Sequence, residues 1–165
     1  MYDLTIPALT RGLSVLYEYV SAAGAHADET AQGEDALVKA RLAPDMLPFA
    51  GQVQRASDNS KNGVSRLTGL AAPSFADTET TFVELHDRIA KTVAFLEGVP
   101  QASFEDAAER EVELRFASVT GKMNGQSYLT KFLLPNFYFH IATAHGILRN
   151  QGLAIGKRDY LGPLD

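Results

Sequence analysis

The sequence predicts an all-α fold in which four long amphipathic helices form a bundle. Along four segments of about 20 residues, apolar side chains recur at every third or fourth position, which is the spacing of one buried helix face. Glycine and proline separate these segments, and 165 residues with 45% hydrophobic side chains are enough for one core. We therefore expect a single helical-bundle domain over residues 1–165, with a short hairpin-like or irregular excursion near 110–126.

The first two predicted helices precede Pro44. The long first helix spans about residues 7–27, because Pro7 is tolerated in a first turn and the following apolar positions have helical spacing: Leu9, Leu13, Leu16, Tyr17 and Val20. Gly33 marks a connection. A short helix over residues 34–42 follows, and Pro44 ends it because proline cannot continue a helical hydrogen-bond pattern.

The next two long helices differ in how apolar they are. The second begins after residues 45–48, which have the pattern of a cap and a helix start, and ends near Gly69. Its stripe is small and partly polar, consisting of Phe49, Val53, Ala56, Ser60, Val64 and Leu67. The third is predicted to begin at Asp77, with Glu79 near the positive helix end, and to stop at residues 98–100. Its apolar positions are Phe82, Leu85, Ile89, Val93 and Leu96.

The remaining segments combine a strand signal with a fourth long helix. Apolar and charged residues alternate over 110–116, which indicates a half-buried strand, and Gly121 and Gly125 on either side of Met123-Asn124 indicate a turn. The fourth helix is predicted over about 127–151. Pro135 lies inside it and forces a kink or a restart, so that 127–134 and 136–151 could be separate. Residues 153–165 are predicted to be a loop.

Composition excludes several classes of protein. The absence of cysteine excludes disulfide frameworks, zinc–thiolate sites, iron–sulfur clusters and cysteine nucleophiles. Neither a signal-peptide pattern nor a run of 18 apolar residues is present, so we expect a cytoplasmic protein that does not interact with membranes. The net charge of −5 predicts that nucleic acid is not a partner.

The charges are unevenly distributed, because no carboxylate occurs between Arg115 and Arg158. One interpretation is that this segment lines a pocket for an anionic ligand, with these candidates: Lys122, Lys131, Arg149, Lys157 and Arg158. The other, which we favour, is that the basic segment neutralises the acidic remainder of the chain across the fold.

Two of the four histidines, His140 and His145, lie in the fourth helix. Interior imidazoles are common metal ligands when cysteine is absent. Residues five apart differ by about 140° around a helix, so the two imidazoles flank the apolar stripe on opposite sides and cannot reach one ion. A π-bulge between them would change that geometry. Without such a bulge, we expect one or both imidazoles to lie in the interior and to form a hydrogen bond with a neighbouring helix. His26 and His86 are predicted to lie at the surface.

The second long helix carries a set of polar side chains beside its weak apolar stripe: Gln52, Gln54, Asp58, Asn59 and Lys61. Among these side chains, Asp58 is the one with the most possible chemical roles. It could be a carboxylate ligand or base opposite His140, an exposed helix charge, or a buried carboxylate that orients a histidine.

Three stretches of the chain resemble the DUF1993 family of bacterial proteins: residues 42–58 with Leu42-Ala43-Pro44-Asp45-Met46-Leu47-Pro48-Phe49, Gln52-Val53-Gln54 and Asp58; Leu134-Pro135-Asn136-Phe137-Tyr138-Phe139-His140; and Gly156-Lys157-Arg158-Asp159-Tyr160-Leu161-Gly162. That family is similar to the DinB/YfiT-like superfamily. The resemblance implies an up-down four-helix bundle, often dimeric, in which many members hold a divalent metal through three histidines.

The resemblance also implies where such a metal would be held. In metal-binding members two histidines stand four apart on the last long helix and a third comes from the second, and some members act as thiol-dependent transferases or hydrolases. In this chain His140 matches the first position, and Ala144 stands four residues later. The second helix offers glutamines and Asp58 instead of a histidine.

The leading hypothesis is a bundle without a cofactor whose interior polar cleft binds a small-molecule ligand through His140, His145, Asp58, Gln52 and Gln54. It would form a homodimer through aromatic side chains on helix faces: Tyr17, Tyr19 and Phe95. The alternative is a hydrolase or thiol-dependent transferase that uses a divalent metal such as zinc or nickel, held by the re-phased His140 and His145 together with Asp58. A third possibility is a structural or partner-binding protein that docks through residues 153–165.

Overall fold

Four long helical segments dominate the computed structural model, which describes residues 1–115 and 120–162. They are α1 (Tyr2–Glu29), α3 (Phe49–Thr68), α4 (Phe82–Glu97) and a composite C-terminal helix. The composite helix consists of α5 (Gly125–Tyr128), a π-helical segment (Leu129–Leu133) and α6 (Leu134–Asn150). This architecture confirms the all-α bundle that the hydrophobic periodicity predicts.

The order of the helices around the bundle is α1, α4, α3 and α6, since α1 and α3 each pack against both α4 and α6. Helices that follow one another along the chain, α1 with α3 and α4 with α6, therefore lie across a diagonal. Two long connections cross the ends of the bundle to join them. The first contains α2 (Glu34–Lys39). The second contains a 3-10 turn (Gln101–Phe104) and a hairpin of β1 (Glu111–Arg115) and β2 (Thr120–Asn124).

The predicted apolar stripes form the core. Every residue of the small α3 stripe is buried, and so are the α1 positions except Tyr17, which is 41% exposed. Small residues allow the helices to approach closely: a Cβ added to Gly12 of α1 would lie 2.5 Å from Phe137 Cε1. The weakly apolar stripe of α3 is likewise closely packed rather than exposed, since a Cβ added to Gly63 of α3 would overlap the Leu133 side chain of the C-terminal helix.

Two predicted helix starts are wrong, for different reasons. Helix α1 begins at Tyr2, and Pro7 lies within it, because the residues before the proline gain burial: Thr5 is fully buried and Ile6 is 5% exposed. Helix α4 begins at Phe82, five residues after the predicted Asp77. The hydroxyl of Thr81 accepts from the backbone N–H of Glu84, while the Glu84 carboxylate accepts from the backbone N–H of Thr81.

The strand prediction is confirmed over Glu111–Arg115, where alternate residues are buried and the strand pairs antiparallel with β2. Phe116 lies outside the described residues. The predicted turn at Met123-Asn124 is wrong, because both residues belong to β2. Gly125, which was expected to serve that turn, begins α5 and allows a close approach, since an added Cβ would lie 1.8 Å from the carbonyl oxygen of Ala107.

The C-terminal helix accommodates Pro135 without breaking. The N–H of Leu134 donates to the carbonyl of Leu129, five residues earlier, so a π-helical turn directly precedes the proline. From Leu134 to Asn150 the helix is regular. The predicted loop after residue 153 contains a short helix, α7 (Lys157–Leu161), whose start is capped by the Asp159 carboxylate at the N–H of Gly156, 2.7 Å away. The prediction for residues 163–165 lies outside the described part of the chain.

Across the described helices, no segment combines the length and the apolar character that a bilayer crossing requires.

The close approach at Gly12 generates a stability prediction. Gly12→Ala places a methyl group against the fully buried Phe137 and the 1% exposed Ile141, so we expect the free energy of unfolding to fall by about 1–3 kcal/mol. Gly146→Ala in α6 is the matched control. Its nearest neighbour would be at 3.6 Å, so helix propensity should raise the unfolding free energy by up to about 1 kcal/mol. Urea unfolding of both variants checks this, and equal effects would contradict it.

Candidate functional site

A buried guanidinium organises the interior between α3 and α4. Arg88 of α4 is 2% exposed, and all its donor directions are used. Its Nε donates to Ser57 Oγ at 3.1 Å, Nη1 to Glu79 Oε1 at 2.9 Å, and Nη2 to Asp58 Oδ1 at 2.8 Å. Asp77 Oδ1 lies 2.7 Å from Nη1. A buried arginine is therefore fully compensated by carboxylates from α3 and from the loop before α4.

Three cations face three carboxylates in this group, which we call the Arg88 cluster: Arg55, Lys61, Arg88, Asp58, Asp77 and Glu79. Burial alone would raise the pKa of Asp77, but the hydrogen bonds and charges of Arg88 and Arg55 lower it below its usual value. The ring of Phe75 lies 4.9 Å from the Arg88 guanidinium carbon and 5.1 Å from Lys61 Nζ. The cluster thus holds the loop of residues 69–81 against the bundle.

A second polar connection links α3 to α6 through Gln52, which is 1% exposed. Gln52 Nε2 donates to the carbonyl oxygen of Leu47 at 3.0 Å, and Gln52 Oε1 lies 2.8 Å from His140 Nδ1. The opposite amide orientation would place two carbonyl oxygens together, so the amide orientation is determined. Because Oε1 can only accept, the Nδ1 of His140 carries the hydrogen and donates it.

This connection fixes the state of the imidazole. Burial, followed by the positive charge of Arg55, lowers the pKa of His140 to about 4. The ring is therefore neutral near pH 7, with a lone pair on Nε2. No residue in 1–115 or 120–162 provides Nε2 with a partner, whereas every fully buried side-chain nitrogen or oxygen there has one. Nε2 is consequently accessible from outside the protein.

His140 lines a cleft of about 560 Å³ between α3 and the C-terminal helix, which we call the α3–α6 cleft. Polar rungs cross between the two helices along it. His140 contacts Gln52 at one end, Asn136 Nδ2 donates to Asn59 Oδ1 at 2.8 Å in the middle, and Arg66 donates to Tyr128 Oη at 3.4 Å towards the other end. The remaining lining residues are Arg55, Asp58, Asn62, Lys131, Phe132 and Pro135.

His145 lies on another side of α6. Its Nδ1 is 2.8 Å from Tyr19 Oη on α1, and its ring packs edge-on against Tyr160 of α7. Burial, then the nearby Arg149, lowers the pKa of His145, and burial followed by Asp159 raises that of Tyr19. The two histidines therefore face different helices, as their five-residue spacing predicts.

The structure brings together only part of the predicted ligand site. His140 and Asp58 line the α3–α6 cleft, and Gln52 supports His140 from behind. Gln54 points away and donates to Glu79 Oε2 at 2.9 Å. Of the five basic candidates from the C-terminal segment, Lys131 lines this cleft, whereas Lys122 pairs with Glu111 and Arg149 donates to the carbonyl of Leu153. Lys157 and Arg158 lie on α7.

The two histidines predicted to lie at the surface, His26 and His86, are half-buried. The Nε2 of His86 lies 3.1 Å from both the carbonyl oxygen of Tyr17 and the hydroxyl of Ser21, so this histidine joins α4 to α1.

The residues do not fit the three-histidine metal site that the resemblance implies. The interruption of the helix between His140 and His145 that the metal hypothesis requires is absent from the regular α6, and Ala144 is buried in the core. Asp58 is held by Arg55, Lys61 and Arg88. Within the described residues, no three His, Cys, Asp or Glu side chains are placed to hold one metal ion.

The sequence reasoning missed Arg88 and Arg55, which determine the electrostatics of this region. One signal was available: Arg88 falls three residues after Leu85 and one before Ile89, on the apolar side of α4. A charge at such a position requires buried partners. Asp77 and Glu79 were candidates among the acidic residues near Arg88 along the chain, since Glu84 belongs to the Thr81-x-x-Glu84 capping box.

Comparison with known proteins adds a family and a fold. The model of DUF1993, described as a domain of unknown function, matches residues 1–161. The crystal structure of a DinB family member protein from Shewanella denitrificans is similar to this chain, with 39% sequence identity and a TM-score of 0.93. That match covers 99% of this chain and 92% of the other. No curated protein matches significantly.

The Arg88 cluster generates a second stability prediction. Arg88→Met leaves Asp58, Asp77 and Glu79 without their shared cation, so we expect the unfolding free energy to fall by about 3–5 kcal/mol. Arg88→Lys keeps the charge but loses the planar guanidinium, so it should lower the unfolding free energy by less. Lys91→Met on the exposed side of α4 is the control and should change the value by less than about 0.5 kcal/mol. If urea unfolding gave Arg88→Met the same unfolding free energy as the native chain, this role of Arg88 would be contradicted.

The state of His140 generates a pH prediction. Its pKa is about 4 in the folded chain and about 6.5 when unfolded, so the unfolded state gains the proton first on acidification. We expect the stability of the folded chain that depends on a neutral His140 to be present in full above pH 6.5 and to be lost as the pH falls towards 4. Comparing the unfolding free energies of the native chain and His140→Gln at several pH values isolates the contribution of His140 from that of His145. NMR titration gives the pKa of His140 in the folded chain. Parallel pH profiles would show that the folded chain does not keep His140 neutral.

Proposed function

The chain belongs to the DUF1993 family and has the DinB-like fold, and from that starting point we propose that its α3–α6 cleft binds a small molecule. The ligand donates a hydrogen bond to Nε2 of His140. The observation that carries this proposal is the neutral imidazole, which is fixed through Gln52 to the carbonyl of Leu47 and has its second nitrogen without a partner among the described residues.

The lining of the cleft supports this function. A volume of about 560 Å³ is within the range of pockets that bind small molecules. Asn59 and Asn136 use one amide atom each on one another, which leaves Asn59 Nδ2 and Asn136 Oδ1 to donate to and accept from a ligand. Since these side chains are held by contacts between helices, their donors and acceptors are oriented before a ligand arrives.

The metal-dependent alternative has weaker support, since the cleft offers one imidazole and a carboxylate already bound to three cations. Homodimerisation stays a prediction. Of its three aromatic residues, Tyr19 is 1% exposed and lies within the bundle, whereas Tyr17 is exposed and Phe95 is half-buried. Docking of a partner by residues 153–165 also stays a prediction.

A fragment screen by ligand-observed NMR tests binding in the cleft. We expect fragments with O–H or N–H donors to bind the native chain and to lose about tenfold in affinity in His140→Phe, which removes the acceptor. Asn62→Trp should exclude them by filling the cleft. Asn150→Trp, at the exposed end of α6, is the control and should bind as the native chain does. Fragments that bind all four proteins equally, or no binding at all, would overturn the proposal.

A further inference from the structure

The charges along the α3–α6 cleft differ from those of the rest of the chain. The whole chain carries a net charge of −5, yet the cleft is lined by Arg55, Arg66 and Lys131 and by a single carboxylate, Asp58. A cleft whose charge opposes that of its protein concentrates ligands of the other sign.

The single carboxylate of the cleft does little to repel an anion. Asp58 Oδ1 lies 2.8 Å from Arg88 Nη2 and 3.0 Å from Lys61 Nζ, and Asp58 Oδ2 lies 3.0 Å from Arg55 Nη2. Its charge is thus matched within the Arg88 cluster, in which cations and carboxylates are equal in number. Lys131 adds positive charge to the cleft beyond that balanced cluster, and the Arg66 guanidinium also lines the cleft.

The positive charge is located at one end. Arg66 follows Asn59 by seven residues on α3, and Lys131 precedes Asn136 on the opposite helix, so both lie beyond the asparagine rung from His140. Among the residues described by the structure, Lys131 has no ion-pair partner. His140 lies nine positions after Lys131, which corresponds to roughly 13 Å along a helix. The cleft therefore has a cationic end and a neutral, hydrogen-bond-accepting end.

We infer that the ligand of the α3–α6 cleft is a small oxyanion, a carboxylate or phosphoryl compound, whose charged group binds between Arg66 and Lys131 while a hydroxyl or amino group donates to His140. This inference rests on the proposed function and names the class of its ligand. Arginine and lysine together suit such a group, because the planar guanidinium pairs with two oxygens and the ammonium adds a point charge.

Calorimetric titration with three named probes tests the class: inorganic phosphate, succinate and the uncharged succinamide. We expect phosphate or succinate to bind the native chain and succinamide not to bind. Whichever of the two anions binds more tightly identifies the phosphoryl or the carboxylate source. Affinity for the anion should fall as salt is added, because the charges are at the protein surface.

Two variants that each remove one positive charge locate the site. Lys131→Gln should weaken anion binding about tenfold, whereas Lys122→Gln, on β2 and paired with Glu111, should leave it unchanged. Thermal unfolding of both variants verifies that the fold is retained.

The outcomes separate the two proposals. Equal binding of succinate and succinamide, or equal loss in the two lysine variants, would overturn the anion class. If fragments excluded by Asn62→Trp bind while both anions fail, the anion class is wrong and binding in the cleft stands. If neither fragments nor anions bind, both proposals are overturned.

Discussion

The burial of one guanidinium constrains much of the structure. Arg88 lies between α3 and α4, where a charge without partners would destabilise the fold by several kcal/mol. Its carboxylate partners must therefore come to it, and two of them, Asp77 and Glu79, are in the loop before α4. Because Asp77 and Glu79 contact Arg88, the loop that contains them lies outside α4. Asp77 adopts a positive φ of 56° within that loop.

The same cluster shapes the edge of the α3–α6 cleft. Asp58 contacts the cluster and lines the cleft, so the cations around it determine how negative the cleft is. Arg55, placed by Asp58 and Asp77, also contributes to the low pKa of His140 after the larger effect of burial. Arg88, which does not line the cleft, thus affects the electrostatics of the cleft through its ion pair with Asp58.

What the sequence could predict follows from the range of the interactions involved. Helix faces depend on neighbours three and four positions away, so the stripes of α1, α3 and α4 are readable from the chain. The same geometry explains why His140 and His145 point in different directions. It also separates Gln52 from Gln54, which are two positions apart on α3, although the sequence analysis places both glutamines in one site. The carboxylate partners of Arg88 lie 9 to 30 residues away, and local patterns do not specify such pairings.

The π-helical turn before Pro135 has a consequence for insertions and deletions. Tyr128 and Asn136 both face α3, although residues eight apart differ by about 80° on a regular helix. One extra residue in the turn makes them equivalent to positions seven apart, which differ by only about 20°. Deleting a single residue from 129–133 would therefore rotate the two halves of the helix relative to each other. A related chain without that residue could keep its contacts to α3 on one side of Pro135 only.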